Sequence, residues 1–124
     1  MNNTQYFYRT IIFTRQDNQI GLADISNPDN VTPLDTWLGT VLSLADGRHS
    51  IQELIDYLGS GYPEGPPENL ESTLHSVIDR LLEGGFIKLS PTPVELPYYL
   101  DSPIEELDLE KARSLIQEDG YALH

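Results

Sequence analysis

The first third of the chain is patterned like a β-sheet. Aromatic and β-branched residues recur at alternate positions over residues 6–13, and this period of two predicts an extended strand. A second apolar segment follows at residues 20–25. The turn-forming residues 16–19, Gln-Asp-Asn-Gln, separate the two segments, so together they predict an antiparallel hairpin.

A second turn, at residues 27–30, leads into a third strand at residues 31–34. We expect this strand to be short and to lie at an edge of the sheet, because Pro33 has no amide hydrogen to give to a neighbouring strand. An edge strand leaves a row of backbone donors and acceptors without partners. These groups could also pair with the same edge of a second copy of the chain, so the sequence leaves open a dimer formed through this strand.

From residue 35 to residue 89 the apolar residues recur at helical spacing, which predicts three helices in succession. Asp35 is the expected N-cap of the first helix, which ends at residues 46–47, Asp-Gly. Ser50 and Glu53 have the spacing of a capping box at the start of the second helix. Residues 59–61, Gly-Ser-Gly, stop that helix.

The third helix carries apolar residues from position 70 to position 82 and ends at residues 84–85, Gly-Gly. A strand at residues 86–89 then packs back against the helices. The predicted fold class is α+β: a three-stranded antiparallel sheet followed by a trihelical winged helix-turn-helix. Residues 1–90 are expected to form this domain.

Residues 91–124 differ from the rest of the chain in composition. They begin as a proline-rich linker and continue into an acidic tail with a predicted helix at residues 104–117. The segment holds eight acidic and two basic residues, an excess of six, whereas the first ninety residues hold twelve and five, an excess of seven. Because an isolated helix of this length is marginally stable in water, we expect it to dock, and a partner enzyme is one candidate surface.

The net charge of the chain disfavours some classes of binding partner. Twenty acidic residues against seven basic ones give a formal net charge of −13. Such a surface repels the nucleic-acid backbone and anionic membranes, since binding to either needs clustered Lys and Arg. The N-terminus lacks the pattern of a signal peptide, and no apolar run approaches the length of a membrane span. A cytoplasmic location is therefore expected.

The residue types give no pattern for catalysis. The chain has no cysteine, so it offers neither a thiol nucleophile nor a thiolate metal site. His49, His75 and His124 are far apart in sequence and lack the spacing of metal ligands. We therefore expect a protein that is not an enzyme and that holds no cofactor or metal.

The order of the elements resembles a known family. Residues 34–47 and 50–58, with the Asp-Gly turn between the first two helices, are similar to the PqqD-like family of RiPP recognition elements. Residues 74–87 are similar to its third helix and glycine-bearing exit. These domains bind the leader segment of ribosomally made precursor peptides. The likeness extends in a general way to the small partner of the radical enzyme pair called splicease.

This resemblance implies a mechanism and a set of residues. In the family, a leader peptide adds itself as a strand to the open edge of the third strand and lies beside the third helix. Carried over to this chain, the edge is Val31, Thr32, Pro33 and Leu34, and the helix wall is Glu71, Leu74, His75, Ile78, Asp79 and Leu82. Leu74 and Ile78 fit ordinary core positions equally well. Pro33 departs from the pattern because it removes one ladder donor.

The implied partners are a precursor peptide leader and a peptide maturase, for which a radical S-adenosylmethionine enzyme is the main candidate. Helix-turn-helix domains more often bind DNA, so a transcriptional regulator is an alternative, as is a structural partner subunit acting through protein contacts. The acidic residues on the third helix disfavour direct contact with a DNA groove.

Overall fold

The computed structural model describes residues 2–24 and 27–120, and over these residues it has an α+β fold. The predicted class and the three-stranded antiparallel sheet are confirmed. The strands are β1 (Tyr6–Arg9), β2 (Phe13–Gln16), β3 (Gln19–Asp24), β4 (Asn27–Pro33), β5 (Asp46–Ser50) and β6 (Ile87–Ser90). The helices are α1 (Thr36–Leu44), α2 (Ile51–Gly59), α3 (Leu70–Glu83), α4 (Tyr98–Asp101) and α5 (Leu109–Asp119), with a 3₁₀ turn at Ile104–Glu106.

The predicted three-stranded sheet consists of β2, β3 and β4 in that order. Gln16 pairs with Gln19 across a two-residue turn. Both turn residues, Asp17 and Asn18, have positive φ angles of 50° and 66°, which matches the twist of hairpin strands. The short polar side chains of Asp and Asn tolerate this conformation better than most.

The first strand was predicted as one segment, residues 6–13, and the structure divides it. β1 leaves the hairpin and forms a second antiparallel sheet, in the order β5-β1-β6. The break follows from two adjacent buried residues, Ile11 and Ile12. Ile11 belongs to the main core and Ile12 to a second one, so the chain must turn between them, and Thr10 anchors the turn by donating to the Phe86 carbonyl (2.9 Å).

The helix starts follow the predicted capping residues. Asp35 accepts a hydrogen bond from the Leu38 amide (2.9 Å) at the start of α1. Ser50 and Glu53 form both bonds of the capping box at the start of α2. Residues 46–47, the predicted end of the first helix, are the first residues of β5, which pairs with β1, and this strand was not predicted.

The main core lies where the helices meet the two sheets. It contains Phe7, Ile11, Phe13, Ile20, Val41, Leu42, Ala45, Ile51, Leu54, Leu70, Leu74, Val77, Ile78, Leu81 and Ile87. The helical members sit at the apolar positions that the sequence predicted. Burial of these side chains is the main favourable contribution to folding.

Residues beyond β6 build the second core around Ile12. Leu96, Tyr99, Leu100, Ile104, Ala112 and Ile116 surround this side chain. The helix predicted at residues 104–117 begins later, at Leu109, because Asp108 caps it by accepting from the amides of Glu110 and Lys111. The C-terminal region therefore docks on this chain's own β1–β2 junction.

A buried arginine links this region to the helices. Arg9 is 2% exposed. Its Nη1 donates to the carbonyl oxygens of Leu42 (3.1 Å) and Ser43 (3.0 Å) at the end of α1. Its Nε donates to Leu100 (2.9 Å) and its Nη2 to Asp101 (3.1 Å), the last residues of α4. One guanidinium thus satisfies four carbonyl oxygens from two distant segments.

The charge on Arg9 is retained at neutral pH. Burial lowers the pKa of Arg9 to about 10, although the carboxylates of Asp46 and Asp101 act in the opposite direction. The Phe13 ring also lies 4.5 Å from the guanidinium carbon, in the range of a cation–π contact. The Arg9 side chain can bond to both sets of carbonyls because its guanidinium is charged and planar and carries five N–H donors.

We expect Arg9→Met to lower the free energy of unfolding by about 3 kcal/mol, because it leaves buried carbonyl oxygens without donors. Arg48→Met is the matched control. Arg48 is exposed, and its ion pair with Asp101 is long, at 3.8 Å. Its loss should therefore lower the free energy of unfolding by less than about 1 kcal/mol. Urea denaturation of both variants measures the difference, and equal effects would contradict the linking role of Arg9.

Candidate functional site

One edge of the hairpin sheet has no strand beside it. In the part of the chain that the structure describes, β3 is the single strand partner of β4. The pairs are Gly21 with Pro33, Leu22 with Thr32 and Ala23 with Val31. Thr32 and Pro33 are exposed and Val31 is partly exposed. The predicted edge position of the third strand, residues 31–34, is therefore confirmed for residues 31–33. The predicted turn at residues 27–30 was wrong, because β4 already begins at Asn27.

The register shows which backbone groups the open edge offers. The Leu34 amide donates to the Ile20 carbonyl (3.0 Å). Because bonded and non-bonded pairs alternate in an antiparallel ladder, Thr32 also faces β3, while Val31 and Pro33 face outward. Pro33 therefore removes no hydrogen bond from the ladder with β3. Instead, the missing amide hydrogen of Pro33 leaves the open edge with the N–H and C=O of Val31 and the C=O of Pro33.

The opposite edge of the same sheet is covered by the C-terminal region. Glu105, in the 3₁₀ turn, accepts hydrogen bonds from the Arg15 amide (2.7 Å) and from Gln16 Nε2 (3.3 Å). It also accepts one from the Thr14 hydroxyl. A side-chain carboxylate thus occupies the outward amide of β2, and a further strand cannot pair there without displacing it.

The pKa of Glu105 is lowered. Burial by itself would raise the pKa, but the hydrogen bonds from Thr14, the Arg15 amide and Gln16 favour the ionised form and outweigh it. The ionised carboxylate is therefore the form that holds the C-terminal region on β2.

A groove begins where β4 runs into α1. It has a volume of about 590 Å³ and lies between the first turn of α1 and one flank of α3. Its lining residues are Asp35, Thr36, Trp37 and Leu38 from α1 and Ser72, Thr73, Ser76, Val77 and Arg80 from α3. Trp37 is 39% exposed. An aromatic ring, hydroxyl groups and a cation thus lie together in one concave surface.

The predicted helix wall does not line this groove. Leu74 and Ile78 are fully buried in the main core, which was the alternative that the sequence left open. Leu82 packs partly buried against that core, and Asp79 is exposed. An α-helix turns by roughly 100° per residue, so Ser76 and Arg80 lie roughly 100° and 140° around the helix from His75, on a different flank.

Glu71 and His75 instead hold the N-terminal segment. Asn3 donates from Nδ2 to Glu71 Oε1 (2.6 Å), and its Oδ1 lies 2.8 Å from His75 Nε2. Asn3 Nδ2 also donates to Gln52 Oε1 on α2 (3.2 Å). These bonds join the chain's start to α2 and α3, and they assign this flank of α3 to a structural role.

Leu34, the last of the predicted edge residues, is not part of the open edge either. It packs partly buried against the main core, and its amide is bonded to β3. No pattern in the sequence marked Trp37, Thr73, Ser76 or Arg80 as groove residues. Only their spacing relative to the buried face of α3 could have indicated them.

No other arrangement of reactive groups stands out. Within residues 2–24 and 27–120, no three His, Cys, Asp or Glu side chains come together as they would around a metal ion. His49 lies 3.2 Å from both carboxylate oxygens of Asp46, as a local surface pair. His124 lies outside the described residues. Among the described helices, none is long and apolar enough to cross a membrane.

Comparisons with known proteins give no identification. No family model, curated protein or solved structure matches the chain. The function must therefore be argued from the open β4 edge and the groove beside it.

We expect the C-terminal contact to weaken in acid. The folded pKa of Glu105 is below its ordinary value of 4.5, so the stabilisation is complete above that value and is lost as the pH falls through the lowered pKa. Denaturation between about pH 6 and pH 3 should show a smaller pH dependence for Glu105→Gln than for the wild type. Glu106→Gln, at an exposed neighbour, should behave like the wild type; equal slopes for all three proteins would contradict this role of Glu105.

Proposed function

We propose that this protein is a RiPP recognition element of the PqqD-like type, which binds the leader of a precursor peptide and delivers it to a peptide-modifying enzyme. In this proposal α1, α2, α3 and β6 form the winged helix-turn-helix, and the leader binds as an added strand. The observation that carries the proposal is the open edge of β4, which is followed two residues later in the chain by Asp35, the first residue of the groove of α1 and α3.

The edge supports an extended peptide as the ligand. Strand addition needs unpaired main-chain donors and acceptors, and Val31 presents both outward. The covered β2 edge supports the same conclusion, since Glu105 leaves β4 as the free side of that sheet. The described part of the C-terminal region, up to residue 120, packs on Ile12 and on β2.

The groove supplies the place for peptide side chains. Alternate residues of an added strand point to the same side, so one row of side chains would reach toward α1 and α3. Trp37 offers an apolar surface for them, and Thr73 and Ser76 offer hydroxyl groups. Backbone bonds supply affinity, and these contacts supply selectivity.

The charges on α3 favour a peptide over DNA. Glu71, Asp79 and Glu83 are all exposed on this helix, which in DNA-binding winged domains enters the major groove. Three carboxylates facing phosphates would oppose binding at every approach. No specific feature of the structure favours the regulatory alternative.

Delivery to an enzyme works through effective concentration. A bound leader holds the attached core peptide close to the partner's active site, at up to about millimolar effective concentration for a short flexible connection. We propose a radical S-adenosylmethionine enzyme as this partner, on the family resemblance. The exposed acidic face of α5, with Glu110 and Glu118, is available for docking because the apolar face of α5 packs on Ile12.

The test is a titration with the leaders of precursor peptides encoded beside the gene, followed by NMR. We expect the amide of Val31 and those of Thr73 and Ser76 to shift together. Val31→Pro removes the outward amide without removing a bond to β3, just as Pro33 already does, and should weaken leader binding about tenfold or more.

Val31→Thr is the matched control, because it retains the amide and suits a strand equally well. It should bind like the wild type, and both variants should unfold at nearly the wild-type temperature. If the leaders do not bind, or if the shifts cluster at another strand edge such as β6, the proposal fails.

A further inference from the structure

We propose that Arg80 selects peptides carrying an acidic side chain, Asp or Glu, at the position that faces the groove. This inference rests on the proposed function and names the chemistry of one ligand residue.

Arg80 lines the groove and has no side-chain partner among the residues that the structure describes. Within the described residues, no carboxylate lies within 4.0 Å of its guanidinium, although twenty acidic residues are present in the chain. Its side chain is exposed. Arg9 is bound to backbone carbonyls, Arg48 lies near Asp101, and Lys111 lies 4.3 Å from the centroid of the Tyr98 ring. Arg15 and Lys88 also have no carboxylate within 4.0 Å among the described residues, but neither of them lines the groove.

The neighbours of Arg80 on α3 complete a set of donors. Ser76 and Thr73 lie one and two turns before it on the same flank, and neither hydroxyl is engaged by another side chain or carbonyl of the described residues. A guanidinium and two hydroxyls can all donate to one carboxylate. The groove also holds Asp35, but its carboxylate is bound to the Leu38 amide as the cap of α1.

The overall negative charge makes such selection meaningful. A net charge of −13 repels an acidic peptide at long range, but at physiological ionic strength charges are screened over about 8 Å. A direct pair in a groove is screened much less. Arg80 therefore lets the protein accept an acidic residue at one place while the rest of its surface disfavours acidic peptides.

The experiment is a selection from random displayed peptides of about twelve residues, long enough for an added strand. Full-length wild type, Arg80→Glu and Lys88→Glu are used separately. Lys88 lies on β6, outside the groove, and its substitution changes the net charge by the same amount. The selected peptides are then synthesised with the acidic residue as Glu or Lys, and their affinities are measured.

We expect the wild type and Lys88→Glu to enrich Asp or Glu at one fixed position, and Arg80→Glu to enrich Lys or Arg there. The Glu peptide should bind the wild type about tenfold more tightly than the Lys peptide, with the order reversed for Arg80→Glu. If the three proteins select the same residue at that position, the role of Arg80 is refuted while peptide binding stands. If the wild type enriches no peptide, peptide binding itself is refuted, and the selection by Arg80 with it.

Discussion

The placement of the C-terminal region against the helices depends on one buried cation. Arg9 is the last residue of β1, and its guanidinium bonds to the end of α1 on one side and to the end of α4 on the other. A buried charge is tolerated only when its donors are satisfied, so the two segments must stay where they are. Because α4 is fixed there, the 3₁₀ turn that follows reaches β2.

This anchoring decides which edge of the hairpin sheet is free. With α4 held by Arg9, Glu105 covers the outward amide of β2, and β4 keeps an open edge. The groove between α1 and α3 begins at Asp35, two residues after β4 ends. A region that composition marks as an acidic tail therefore has a structural task, since it buries Ile12 and closes one of two edges at which a peptide could add.

The third helix shows how one element serves three purposes. Its buried face, with Leu74 and Ile78, completes the main core. One flank, with Glu71 and His75, fixes the N-terminal segment through Asn3. The other flank, with Ser76 and Arg80, faces the groove. The predicted wall combined residues from the first two of these faces, because the sequence shows where a helix is apolar but not which polar flank meets solvent in a concave surface.

Local sequence patterns predict the hairpin with its Asp17-Asn18 turn, the caps at Asp35 and Ser50, the apolar stripes of the helices and the edge position of Pro33. These depend on neighbouring residues, through backbone preferences and short-range hydrogen bonds. The division of the first strand at Ile11 and Ile12, the burial of Arg9 and the flank of α3 that lines the groove become visible only in the folded chain. Each of these depends on contacts between residues far apart in the chain, and such contacts leave no periodic signal.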